Sequence, residues 1–173
     1  MRRASVAWIG AAFVALAVLF VGGLLLPERY EISRRLVVSR PPEAVWYALT
    51  DSLSLRRWRK DLIALERVGD RNGWPVWREI GDDGVGTEVE VVEATPPAHL
   101  RLRRQGERAR GTTEWEYLLE RVPEGIALTV VERGTISSPV RRFLVQFLAG
   151  AHGRLDRQLA GLAEHLDEPV RIE

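Results

Sequence analysis

Glu132 is the side chain that pattern alone marks for acid/base chemistry. In the run Gly125–Gly134, Ile126, Leu128, Val130 and Glu132 occupy alternate positions, so a strand there turns all four to one face. A carboxylate on an apolar face loses hydration and its proton affinity rises, unless a cation meets it. The plainer reading is a structural ion pair with Arg141 or Arg142, which follow closely in the chain. Other chemistries find little material. There is no Cys, so thiolate nucleophiles and thiolate metal sites are excluded. His99, His152 and His165 form no H-x-x-x-H or H-E-x-x-H pair, and no metal site is expected. No G-x-S-x-G elbow occurs. Gly81, Gly84 and Gly86 stand in an acidic turn that repels phosphate. These patterns assign no catalytic constellation and no cofactor.

Binding has better material than catalysis. Trp58, Trp115 and Tyr117 each join a large apolar body to a polar tip, and ligand cavities are walled mostly by such residues. Two basic runs lie nearby: Arg56, Arg57, Arg59 and Lys60 around Trp58, and Arg101, Arg103, Arg104, Arg108 and Arg110. They form either a surface for anionic lipid headgroups or a solvated face neutralised by Asp61, Glu66, Glu107 and Glu114. Net charge is +1, which gives no global attraction for nucleic acid.

The rest of the chain supplies the elements that hold these residues. The 173 residues suffice for one domain with a core. Residues 4–26 carry no charge and span roughly 34 Å as a helix, against about 30 Å of bilayer hydrocarbon. They predict an uncleaved single-pass anchor over residues 1–26, followed by a domain over 27–173. Arg2 and Arg3 place the N-terminus in the cytoplasm and the domain outside it; Arg29, Arg34, Arg35 and Arg40 on the other flank count the opposite way.

Strands are expected over Glu31–Ser39, Leu62–Val68, Pro75–Ile80, Thr87–Ala94, His99–Arg104, Thr112–Arg121 and Gly125–Gly134, with Gly, Pro and Asp turns between them. Two short helices, Glu43–Thr50 and Ser54–Lys60, follow the first strand. In Thr112–Arg121 the residues Trp115, Tyr117 and Leu119 share one face while Glu114, Glu116 and Glu120 share the other, so one face of the sheet is dry. The last element is a long helix over Ser138–His165, capped by Ser138 with Pro139 at its first position. Its apolar face runs through Val140, Leu144, Phe147, Ala151, Leu155, Leu159 and Leu162.

Strand, two short helices, six strands and a long helix is the helix-grip order. The chain resembles the START-like, polyketide cyclase/dehydrase and lipid-transport superfamily (SRPBCC). The likeness rests on P-P-E-A-V-W-Y-A-L-T-D at Pro41–Asp51 with Trp58 beyond it, G-T-T-E-W-E-Y at Gly111–Tyr117, and V-E-R-G-T-I-S-S-P-V-R-R-F at Val131–Phe143. It covers about residues 29–168. The resemblance implies an α+β fold: a curved antiparallel sheet of about seven strands around a C-terminal helix, with a deep apolar cavity between them. Trp58, Trp115, Tyr117, Glu132, Phe147 and Ala151 are the candidate lining. A membrane-tethered binder of a hydrophobic small molecule or lipid is the expected function. The alternative is a cyclase/dehydrase-type enzyme using polar cavity residues, and a buried polar pair in the cavity would favour it.

Overall fold

The computed structural model describes residues 16–82, 84–106, 112–144 and 153–172. Residues 16–24 are helical and form the described part of α1. Then come β1 (Arg29–Val38), α2 (Pro42–Thr50), α3 (Ser52–Trp58), β2 (Leu62–Arg71), β3 (Trp74–Gly81), β4 (Gly86–Thr95), β5 (His99–Gly106), β6 (Thr112–Val122), β7 (Gly125–Thr135), α4 (Pro139–Leu144) and α5 (Gly153–His165).

Seven strands form one curved, unclosed antiparallel sheet in the order β1-β7-β6-β5-β4-β3-β2. β2 to β7 are a meander whose hairpins follow from the turn residues. β1 joins at the far side by pairing with β7 from Arg29↔Thr135 to Val38↔Ile126. Register shifts in β2 between Leu62/Ala64 and Arg67/Gly69 interrupt the other edge, as natural sheets do where a strand has no outer partner.

Pro42 opens α2, whose buried side chains are Pro42, Val45, Ala48 and Leu49. Asp51 ends α2 and caps α3, its carboxylate accepting from the Ser54 N–H at 2.8 Å. The Trp58 indole N–H donates to the Ala48 carbonyl at 2.8 Å, locking α3 onto α2. On the concave side, Leu36, Leu128 and Val130 from the sheet meet Leu155, Leu159 and Leu162 from α5 in the core.

Two expectations fall partly outside the described residues. Of the helix expected over Ser138–His165, α4 and α5 are described and residues 145–152 are not, so Phe147, Ala151 and His152 lie outside. Ser138 does cap α4, with its Oγ accepting from the Arg141 N–H at 3.4 Å. Of the apolar stretch 4–26, residues 4–15 lie outside; among the described residues no helix is long and apolar enough to cross a membrane.

Candidate functional site

α5 carries two stripes. Leu155, Leu159, Leu162 and Ala163 are buried in the core. Arg154, Arg157, Gln158 and Gly161, spaced at i, i+3, i+4 and i+7, face instead a cavity of about 830 Å³ between α5, the end of α3 and strands β3 to β5. Trp58, Leu62 and Val85 supply apolar lining; Arg59, Asp61, Glu79 and Arg104 supply charge.

The charged lining is a matched network. Arg59 is 4% exposed, and its guanidinium grips Asp61 through two 2.8 Å bonds and reaches Glu79 Oε2 at 3.4 Å. Arg104 donates to the same Glu79 oxygen. Burial by itself disfavours the Arg59 charge, but the bond to Asp61 and the charges of Glu79 and Asp61 outweigh it and raise its pKa. Burial likewise pushes the Asp61 carboxyl up, and Arg59 with the Gln158 amide more than offsets that, holding it below the usual range. Buried charges persist only when paired and hydrogen-bonded in this way.

A second cluster backs the first. Glu132 is 2% exposed, accepts from the Tyr30 hydroxyl at 2.8 Å, and is bonded by Arg154 Nη2. Burial and then the Glu132 charge push the Tyr30 pKa up to about 12, so this phenol is a donor at neutral pH. Arg154 and Arg104 stand over the Trp115 ring, 5.7 and 5.0 Å from its centroid. Tyr117 is buried beside the network, and desolvation raises its pKa further above the phenol range.

Trp58 therefore lines the cavity, whereas Trp115, Tyr117 and Glu132 form the wall behind the arginines that do. The expected partners of Glu132 are corrected: Arg142 instead donates to the Leu26 carbonyl at 2.7 Å and to Glu28 at 3.3 Å. The cavity expected to be apolar is mixed: Arg59, Asp61, Glu79 and Arg104 line it beside Trp58, Leu62 and Val85. The second basic run divides. Arg101 and Arg103 pair on the outer face with Glu93 at 3.0 Å and Glu90 at 2.9 Å, while Arg104 points inward.

Arg104 was placed only in a basic run, and Glu79, Arg154 and Gln158 were not among the candidate site residues. A signal existed for Arg104, which continues the phase of Leu100 and Leu102. No comparable signal singles out Gln158.

No curated protein matches the sequence. Solved structures share the fold. Protein MLL2253 of Mesorhizobium loti matches with a TM-score of 0.62 at 20% identity, covering 80% of this chain and 97% of its own. Protein CV1439 of Chromobacterium violaceum gives 0.59 at 22%, covering 83% and 99%. DynU16, a protein in the dynemicin biosynthetic locus, gives 0.56 at 22%, covering 82% of this chain and 48% of its own. The family model described as polyketide cyclase / dehydrase and lipid transport matches residues 29–167, all seven strands and α5 included. The chain belongs to that family.

Proposed function

We propose that the domain holds a small organic molecule in the cavity between the sheet and α5, and that residues 4–26 tether it to a membrane. The observation that carries this is the cavity itself: about 830 Å³ falls within the range of ligand sites, which pair apolar walls with a few placed polar groups. The ligand's apolar body rests on Trp58, Leu62 and Val85, and its polar end meets Arg104, Arg154 and Gln158. The tether is supported by the 23 uncharged residues of 4–26 and by the outward apolar side chains of α1, among them Leu16, Val18, Phe20 and Val21. Tethering raises the effective concentration of the cavity towards membrane-dissolved ligands. Native mass spectrometry of the full chain released from detergent, followed by organic extraction, tests the binding reading. A discrete co-purifying mass of one organic compound is expected; a protein that stays empty after exposure to a lipid and metabolite extract sinks it.

One observation favours the alternative, an acid/base enzyme of the cyclase/dehydrase type: the buried Glu132 carboxylate, bonded by Tyr30 and by Arg154 of the cavity lining. Conversion of the bound compound to a product of different mass, lost in Glu132→Gln with binding retained, would decide for it.

A further inference from the structure

We propose that α4, together with Arg29 and Arg141, forms a second membrane contact: a seat on the surface of a bilayer that carries anionic headgroups. This rests on the reading of residues 4–26 as a tether. The uncharged stretch ends at Leu26, and Gly22 and Gly23 stand about one helical turn before that end, roughly 5 Å back along α1. α4 meets α1 at this level. A Cβ at Gly23 would lie 1.8 Å from the Pro139 carbonyl oxygen, and one at Gly22 would lie 2.8 Å from the Phe143 ring. With α1 in a bilayer, the first turn of α4 is therefore level with the boundary between hydrocarbon and headgroups.

The side chains around the joint suit that boundary. Leu24 and Leu25 are 54% and 84% exposed, and Leu144 at the end of α4 is 37% exposed. Arg29 follows closely after Leu26, and Arg141 lies within α4; both are exposed, and neither guanidinium has a hydrogen bond or ion pair among the described residues. The acids at this end are already matched, Glu28 by Arg142 at 3.3 Å and Glu31 by Arg133 at 2.7 Å. Two cations are thus left over beside an apolar rim. A surface of that make-up gains from apolar burial and from anionic headgroups together.

The same placement orients the cavity. α5 runs along β1 away from α1: Arg34 donates to Asp156 at 2.7 Å, and Arg40, past the far end of β1, donates to the Leu166 carbonyl at 2.7 Å. Arg154, in the first turn of α5, is bonded to Glu132, whose register partner is Ile32 near the start of β1. The seat turns the Arg154 end of the cavity towards the bilayer.

The chain has no Cys, so single cysteines can be introduced and labelled with an environment-sensitive fluorophore. The sites are Leu16→Cys on α1, Leu144→Cys on α4, and Tyr47→Cys on α2, an exposed position beyond the far end of β1. Each full chain is reconstituted in phosphatidylcholine vesicles with brominated acyl chains as quencher, with and without phosphatidylserine. With phosphatidylserine, the labels at 16 and 144 are expected to be quenched about twofold or more, and the label at 47 not at all. Omitting phosphatidylserine, or adding Arg29→Gln and Arg141→Gln, is expected to cut the quenching at 144 by about twofold or more and to leave that at 16 unchanged. Quenching at 16 without quenching at 144 overturns the seat and leaves the tether. Quenching at 144 that ignores both phosphatidylserine and the two arginines overturns the anionic contact, and quenching at 47 equal to that at 144 overturns the orientation. Absence of quenching at 16 overturns the inference together with the tether reading on which it rests.

Discussion

Gly161 of α5 lies against the carbonyl oxygen of Trp58, so closely that a Cβ at Gly161 would stand 2.7 Å from it. The contact is with backbone, which cannot swing aside as a side-chain tip would. It sets the separation of α3 and α5, and with it one end of the cavity, since Trp58 and Gly161 both line it. Ser54 with His165 at 2.9 Å and Lys60 with Glu164 at 2.7 Å join the same two segments. Gly161→Ala is expected to destabilise the domain by about 1–2 kcal/mol: overpacking costs about 1–3 kcal/mol, and alanine's better helix propensity returns up to about 1 kcal/mol. Denaturant unfolding measures it; a more stable variant would show that α3 yields freely.

Tyr30 makes the fold sensitive to alkali. An unfolded tyrosine ionises near pH 10, whereas Tyr30 in the fold does so at about 12. Between those values the unfolded chain has released a proton that the folded one keeps, so stability falls as pH rises. The contribution is complete below about pH 10 and gone above about pH 12. Tyr30→Phe should flatten this loss without abolishing it, because buried Tyr117 shifts in the same direction. Stability measured from pH 9 to 12 on both proteins checks the point, and parallel curves would contradict it.

The sheet was legible because alternation is local. Trp115, Tyr117 and Leu119 are buried on one face of β6, as their period-two spacing requires, and turn residues bounded the strands to within a few positions. Glu132 was legible for the same reason. Its partners were not, since Tyr30 lies 102 residues before it and Arg154 22 residues after it. Only closure of β1 onto β7 and of α5 onto the sheet brings them together. Proximity in sequence pointed to Arg142, which the fold uses at the α1 junction instead. Arg104 was hidden in a basic run, where composition outweighed its phase.

The Arg59 network should fail sharply when one member is removed. Arg59→Met leaves Glu79 with Arg104 but strips Asp61 of its cation, and breaking a buried pair by one partner costs about 3–5 kcal/mol. Asp61 is nearly half exposed, so its share is at the lower end. Because its folded pKa is depressed, its contribution is full above the ordinary aspartate value of about 3.9 and disappears as pH falls through the folded value. Asp61→Asn should therefore lose stability at pH 7 and show a shallower acid transition below about pH 4. Unchanged acid unfolding in this variant would remove Asp61 from the account.

The junction between α1 and the domain is built for contact. A Cβ at Gly23 would lie 1.8 Å from the Pro139 carbonyl oxygen, so only glycine lets the α1 backbone rest on the first turn of α4. Arg142, 8% exposed, closes the joint by donating to the Leu26 and Ser137 carbonyls and to Glu28. If residues 4–26 are the proposed tether, a joint held this way would orient the domain, as a slack linker would not. Gly23→Leu must separate α1 from α4, and Arg142→Met strands the Leu26 carbonyl. Both variants should be cut by a glutamate-specific protease at Glu28 about tenfold faster than wild type, because cleavage tracks local opening. The thermal midpoint of the sheet domain should stay within about 2–4 °C of wild type, since the core is untouched. Equal cleavage rates in all three proteins would mean that the joint is already open and that the domain's orientation is not set by it.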